Sequence, residues 1–249
     1  MMLSIRELEP GAISVFKVDL DDVHLSTRRD LLAPDELARA DRFRFDVHRN
    51  RFIAGRAALR TVLGHYTRIS PETVQFAYTS NGKPFLANHN GSLSFNLSNS
   101  ENFCLIAAGM YEHIGVDIEK MVLDKELMAI AGRFFAPAEV DQLMTLPAER
   151  RGDAFYSCWT RKEAFVKAHG SGLAYGLDKF EVTAIPEEPA RLLAIHCETP
   201  PIGTSSERDI NDASSWSMFN LEVDRGYAAA LAVHGKVDHV TRFDWEHAI

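Results

Sequence analysis

Trp159-Thr160-Arg161-Lys162-Glu163-Ala164-Phe165-Val166-Lys167 reads as helix. The stretch has no Gly or Pro and is rich in good helix formers, and Gly170 and Gly172 stand just past its end as stop signals. The pattern predicts a helix over residues 153–168. On its wheel Phe155, Cys158, Trp159 and Val166 share one apolar stripe. Glu163 and Lys167, four residues apart, lie together on the flank of that stripe. Taken alone, such a pair is a surface salt bridge worth a few tenths of a kcal/mol.

A second acidic pair upstream gives it more weight. In Ile114-Gly115-Val116-Asp117-Ile118-Glu119 the alternation predicts a strand with Ile114, Val116 and Ile118 on the core face. Gly115, Asp117 and Glu119 then share the other face. Two carboxylates placed i,i+2 on a strand repel each other unless a cation sits between them. Carboxylate oxygens are the ligands Mg²⁺ prefers, with further positions left for water and substrate phosphate. Gly115 beside them leaves room for a ligand. The plainer alternative is an exposed edge carrying two solvated acids.

A chain of 249 residues forms one large domain or two modest ones. No run approaches the length of a membrane span, and MMLSIRELEP has no cationic region followed by an apolar one, so no secretory leader is expected. Cys104, Cys158 and Cys197 are odd in number, far apart and without metal-ligand spacing, which predicts reduced, buried thiols in a cytoplasmic protein. The net charge of −8 argues against nucleic-acid binding. Residues 1–113 carry 13 Lys and Arg against 13 Asp and Glu, whereas residues 114–249 carry 14 against 22. Arginine concentrates between Arg39 and Arg60. A basic site on a neutral half facing an acidic half suggests an anionic ligand held between them.

Residues 13–20 alternate as a first strand, and Pro34 with Asp35-Glu36 marks a helix start. Helix then continues, with a break, to Tyr66, where Phe52, Leu59, Leu63 and Tyr66 form an apolar stripe. Arg49, Arg56 and Arg60 share a flank. Arg56 lies near the apolar stripe, so its charge needs a partner, either an internal carboxylate or a bound phosphate. Asn81-Gly82 is a turn signal. Residues 92–97 read as a strand ending in Ser98-Asn99-Ser100, a plain turn or a set of donors for an anion. Residues 103–110 read as a buried strand, 124–131 and 136–146 as helices, and 177–185 and 191–197 as strands. Residues 199–215 look like loop, and 216–224 with 227–233 like a hairpin turning at Asp224-Arg225-Gly226. No strict repeat is evident, although both halves run from helices to strands.

Four of these segments together resemble the Sfp-type 4′-phosphopantetheinyl transferases. GVDIE at 115–119 is similar to the family's (I/V)G(V/I)D(I/V)E, and the nonapeptide above, with Phe155 before it, to F-x-x-x-W-(S/T)-x-K-E-(A/S)-x-x-K. NGKPFL at 81–86 carries the GKP turn, and FNLSNS at 95–100 resembles N-(I/L/V)-S-(H)-S; beside these four, RFIAGRAALR at 51–60 is also similar to the helix before the turn. The match spans residues 39–183 in the family's order. The resemblance implies an α+β fold of two pseudo-twofold-related halves, 1–113 and 114–249, each with helices on a small antiparallel sheet. Coenzyme A would lie in the cleft between them. It implies transfer of phosphopantetheine from CoA to a serine of an apo acyl or peptidyl carrier protein, with 3′,5′-ADP leaving.

By motif position Asp117, Glu119 and Glu163 would hold Mg²⁺, Glu163 or a metal-bound water would take the serine proton, and Lys167 would contact phosphate. Arg39, Arg51, Arg56 and Lys83 would hold CoA phosphates, joined by Lys162. Ser98, Asn99 and Ser100 would line the nucleotide. Asn99 departs from the family, which often has His there; Asn donates but carries no charge. The length fits the longer, monomeric members. Two other readings are a catalytically silent CoA-binding protein and another Mg²⁺-dependent phosphotransferase. The intact acidic positions argue against the first, and the lack of a P-loop or kinase signature against the second.

Overall fold

The computed structural model describes residues 7–87, 93–122, 124–172, 175–196 and 210–245. The leader reading at residues 1–6, Ser92, Cys197 and most of the loop expected at 199–215 lie outside them. The chain forms two compact units, residues 1–110 with 239–249, and residues 111–238.

The first unit opens with β1 (Ala12–Asp19), followed by α1 (Val23–Ser26), α2 (Pro34–Ala40) and α3 (Asp46–Thr67). A short hairpin follows, β2 (Phe76–Tyr78) and β3 (Pro84–Leu86), with Gly82 at φ +80° in its turn. Then come β4 (Ser94–Ser100) and β5 (Phe103–Gly109). β5 lies between β1 and β4, antiparallel to both. Alternation places Phe16 and Val18 of β1, Phe95 of β4 and Ile106 of β5 in one core with α3. Ala54, Ala57 and Ala58 of the helix are fully buried there, and their small side chains let α3 lie close to its neighbours. Ser98-Asn99-Ser100 is not a turn. It is the end of β4, paired with residues 103–105, and the chain reverses at Glu101, whose φ is 50°.

The second unit starts with β6 (Ile114–Lys120), then α4 (Leu127–Phe134), α5 (Pro137–Thr145) and α6 (Ala148–His169). α6 begins five residues earlier than its apolar pattern suggested, and it ends where Gly170 turns left-handed at φ 83°. β7 (Phe180–Val182) and β8 (Leu192–Ile195) form a small ladder. β9 (Trp216–Asn220) and β10 (Tyr227–His234) form the expected hairpin, with Gly226 at φ +85°, and β10 also pairs antiparallel with β6. Phe165 anchors this core, 4.5 Å from the Phe180 ring and 4.8 Å from Trp216. The last strand, β11 (His239–Asp244), returns to the first unit and runs parallel to β1, with Phe243 stacked on Phe16 at 4.9 Å.

Each unit contains a buried glutamate at the third position of a helix that starts Ala-Pro. In α2, Glu36 accepts the Ala33 N–H at 2.9 Å and the Arg60 Nε–H at 2.6 Å, and pairs with Arg56. Arg60 also donates to the Val74 carbonyl at 2.9 Å. In α5, Glu139 accepts the Ala136 N–H at 2.9 Å and the Val182 N–H at 2.7 Å, and pairs with Lys162 of α6 at 2.8 Å. In both cases the long helix is tied to the start of the short one through a buried ion pair.

Gly115 sets how closely β6 approaches α6. A Cβ at this position would stand 2.1 Å from the Ala164 carbonyl oxygen and 2.3 Å from the Ala168 nitrogen. The space that the sequence reading left for a ligand is therefore filled by helix backbone. Gly115→Ala should destabilise the protein by about 3 kcal/mol or more, because the clash is with backbone that cannot rotate away. A urea titration measures this, and a loss below about 1 kcal/mol would show that α6 can move off the strand.

Candidate active site

In the second unit β6, with the residues just after it, is joined to α6 at three points. Gly115 lies against Ala164 and Ala168 at one. At the next, Lys167 Nζ donates to Asp117 Oδ1 at 2.6 Å. At the last, the Tyr156 hydroxyl accepts the Val122 N–H at 3.1 Å and donates to the Val122 carbonyl at 3.2 Å. Tyr156, Thr160, Glu163 and Lys167 fall at successive turns on one side of the helix. The acidic face of β6 is therefore not a solvated edge: Asp117 is 2% exposed. Lys167 engages Asp117 across the interface and is not merely a surface partner of Glu163.

Glu163 has its pKa pushed up from 4.5, first by burial and then by the negative charge of Asp117, with Glu119 adding to it and Lys167 opposing. The three carboxylates are thus within electrostatic reach of one another. Their oxygen donors and surplus negative charge suit a hard divalent cation. Among the described residues no three His, Cys, Asp or Glu side chains stand close enough to hold a metal as they are. In this arrangement the Lys167 ammonium provides the counter-charge at Asp117.

Two residues expected at the ligand are instead inside the protein. Lys162 is 0% exposed; its ammonium donates to the carbonyls of Leu177 and Phe180, both at 2.7 Å, and pairs with Glu139. All three of its donors are used, so it has none to offer CoA. Arg56 has the internal carboxylate as its partner: it pairs with Glu36, and its guanidinium lies 4.4 Å from the Phe76 ring centre. Sequence reasoning marked Glu36 as part of a helix start but foresaw no distant partner for Glu36, Glu139, Arg161 or Tyr156. The recurrence of Ala33-Pro34-Asp35-Glu36 as Ala136-Pro137-Ala138-Glu139 was the available signal for the two glutamates.

The remaining basic candidates belong to the first unit. Arg51 makes a bidentate pair with Asp21, at 2.7 and 3.0 Å, and reaches Glu101 at 3.4 Å, so its hydrogen bonds hold the Asp21 carboxyl below its usual 3.8. One turn along α3, Gly55 faces Leu20, and a Cβ there would lie 4.0 Å from the Asn99 side-chain nitrogen. Arg51, Asn99 and the turn after β4 are thus neighbours. The Arg39 guanidinium lies 5.1 Å from the Phe52 ring centre. Burial pushes the Lys83 pKa from 10.5 down to about 8. Ser98 is buried, Ser100 partly so, and Asn99 is exposed.

Comparison with known proteins gives this arrangement a family. Residues 113–232 match the family described as the 4′-phosphopantetheinyl transferase superfamily. The 4′-phosphopantetheinyl transferase HetI of Nostoc sp. is 39% identical over 228 residues, covering 90% of this chain and 88% of that protein. The chain belongs to the 4′-phosphopantetheinyl transferase superfamily. Residues 21–111 match a second family described as 4′-phosphopantetheinyl transferase, N-terminal. The 4′-phosphopantetheinyl transferase psf-1 of Bacillus pumilus is 33% identical, covering 73% of this chain and 78% of that protein. The 4′-phosphopantetheinyl transferase Sfp of Bacillus subtilis is 30% identical, covering 61% of this chain and 66% of that protein. The superfamily uses CoA as a substrate and its members are generally Mg²⁺-dependent. Among the described residues no helix is long and apolar enough to cross a membrane.

The raised pKa of Glu163 gives a signed pH dependence. A carboxyl that holds its proton more tightly when folded stabilises the fold below 4.5, and that contribution is lost as pH rises through the folded value. Glu163→Gln never ionises. In urea titrations the variant should be at least as stable as the parent at pH 7, and its advantage should shrink toward pH 4. A variant less stable than the parent at pH 7 would show that the ionised carboxylate is favourably partnered.

Proposed function

We propose that this chain transfers the 4′-phosphopantetheinyl group of CoA to a serine hydroxyl of an apo acyl or peptidyl carrier protein and releases 3′,5′-ADP. The observation that carries this reading is the convergence of the acidic strand and the catalytic-type helix: Lys167 on Asp117, with Glu163 coupled to Asp117 and Glu119. The serine oxygen forms the new bond to the β-phosphorus, and the bond from that phosphorus to the oxygen of 3′,5′-ADP breaks. Glu163 would take the serine proton, the role that suits a carboxylate placed beside the attacking hydroxyl. Lys167 would hold a non-bridging phosphate oxygen. Asp117, Glu119 and Glu163 are the residues that would hold Mg²⁺, which when bound neutralises charge across the pyrophosphate.

For CoA, the reading keeps Arg39, Arg51, Lys83, Ser98, Asn99 and Ser100 and drops Arg56 and Lys162, whose charges are already satisfied inside the protein. A phosphate at Arg51 would share the guanidinium with Asp21 and Glu101. The protein is taken to work as a monomer in the cytoplasm.

The direct test is incubation with CoA, Mg²⁺ and a panel of apo carrier proteins, read by intact mass. A phosphopantetheine adduct on at least one carrier supports the reading; CoA binding with no adduct on any carrier overturns it. Glu163→Gln should bind CoA within a few-fold of the parent and transfer at least about 100-fold more slowly, because it loses both charge and basicity. Near-parent turnover would remove Glu163 from the chemistry.

Lys83 supplies a second test. A phosphate beside its amine would favour the charged form, so CoA affinity should fall as pH rises past about 8, where the Lys83 ammonium loses its proton in the absence of CoA. Calorimetric titration of the parent between pH 7 and 9 should show that fall, and Lys83→Met should bind more weakly at pH 7 and show a flatter profile. Identical profiles would place the phosphates elsewhere.

A further inference from the structure

Arg161 and Lys162 directly precede Glu163 on α6, and both side chains are 0% exposed. Their buried charges point to opposite requirements from those of a ligand site. Arg161 donates to the Thr183 and Glu188 carbonyls and to Asn220 Oδ1, at distances between 2.5 and 3.1 Å. Lys162 donates to the Leu177 and Phe180 carbonyls and to Glu139, which itself accepts the N–H groups of Ala136 and Val182. Successive helix residues project about 100° apart. The two cations therefore tie α6 at one height to two different parts of the second unit. Gly115 holds a third side, where Ala164 and Ala168 meet β6.

A helix held at a single line of contact can still roll about that line. Held by Arg161 and Lys162 in two directions and by Gly115 in a third, α6 is left one rotation and one height. Glu163, the next residue after the two anchors, inherits that position. So does Lys167, one turn on, whose ammonium meets Asp117. The requirement is geometric, since a misplacement of about 1 Å in a reacting group costs about 100-fold in rate.

We propose that the buried Lys162–Glu139 pair is a positioning element for catalysis: it fixes the rotation of α6 that presents Glu163 and Lys167 to the β6 carboxylates, and it touches no substrate. The inference rests on the transferase reading above. It differs from that reading, and from the motif-based expectation, in assigning Lys162 to turnover with no part in CoA binding.

Changing one partner alone strands a buried charge, so the test uses Glu139→Gln with Lys162→Met, which removes both charges and keeps both volumes. Arg161 and Gly115 are untouched, so α6 stays docked on the sheet while one of the three ties that set its rotation is lost. The double variant should show parent circular dichroism, a KM for CoA within threefold of the parent and a kcat at least tenfold lower. A cavity variant on β8, Leu192→Ala, serves as the control for lost stability and should keep the parent kcat. If the double variant does not fold, Glu139→Asp keeps the charge pair but shortens the tether, and its kcat should fall at least threefold with KM unchanged. The inference is overturned if the folded variant keeps a kcat within twofold of the parent. It is also overturned if KM for CoA rises tenfold with kcat unchanged, or if Leu192→Ala loses as much kcat. A parent that modifies no carrier overturns the transferase reading and this inference with it. A parent that transfers while the variants keep its kcat overturns the inference alone.

Discussion

The approach of α6 to β6 at Gly115 is the constraint on which the candidate site depends. Helix backbone lies where a side chain would otherwise stand, with the Ala164 oxygen 2.1 Å from the position of a Cβ. At that separation Lys167 reaches Asp117 directly, and Glu163 feels the charges of Asp117 and Glu119. Any larger residue at 115 would wedge strand and helix apart and weaken every one of these interactions together. The glycine of the acidic motif thus acts through packing: it makes room for the helix that carries the second half of the site.

A second principle organises both units. A carboxylate at the third position of an Ala-Pro helix start caps its own helix and also neutralises a cation from a helix of 22 residues, α3 in one unit and α6 in the other. Breaking such a pair by removing one partner costs about 3–5 kcal/mol, because the other charge remains buried. The pair therefore adds a directional tie between the two helices to the apolar packing around them. In the first unit the same device absorbs Arg56 and Arg60, so part of the arginine cluster is structural, while Arg51 stays near the surface on Asp21.

The two roles of lysine on α6 show how neighbouring residues of the same type diverge. Lys167 projects toward β6 and remains partly exposed, with its amine on the buried Asp117 carboxylate. Lys162 projects into the core, where backbone carbonyls and Glu139 use all its donors. Five residues of helix separate them by more than a full turn, and burial on one side with exposure on the other gives opposite chemistry. Motif matching treats both as part of one signature and has no means of separating them.

Much of this protein is written in its sequence. The 3.6-residue apolar stripe through Phe155, Cys158 and Val166 and the alternation through Ile114, Val116 and Ile118 each record burial by near neighbours, so helix α6 and strand β6 are legible without coordinates. Spacing also placed Asp117 with Glu119, and Glu163 with Lys167. Tertiary structure decided what lies opposite each of them. Ser98-Asn99-Ser100 became strand because β5 offers it a ladder, and β11 formed from a half-exposed, polar segment because β1 offers it an edge more than 200 residues away in the chain. Arg56 was left between an internal carboxylate and a bound phosphate, and Lys162 was assigned to CoA, for the same reason. Local sequence fixes which way a side chain projects from its own helix, but the partner that satisfies its charge comes from a distant segment, and only the folded chain brings the two together.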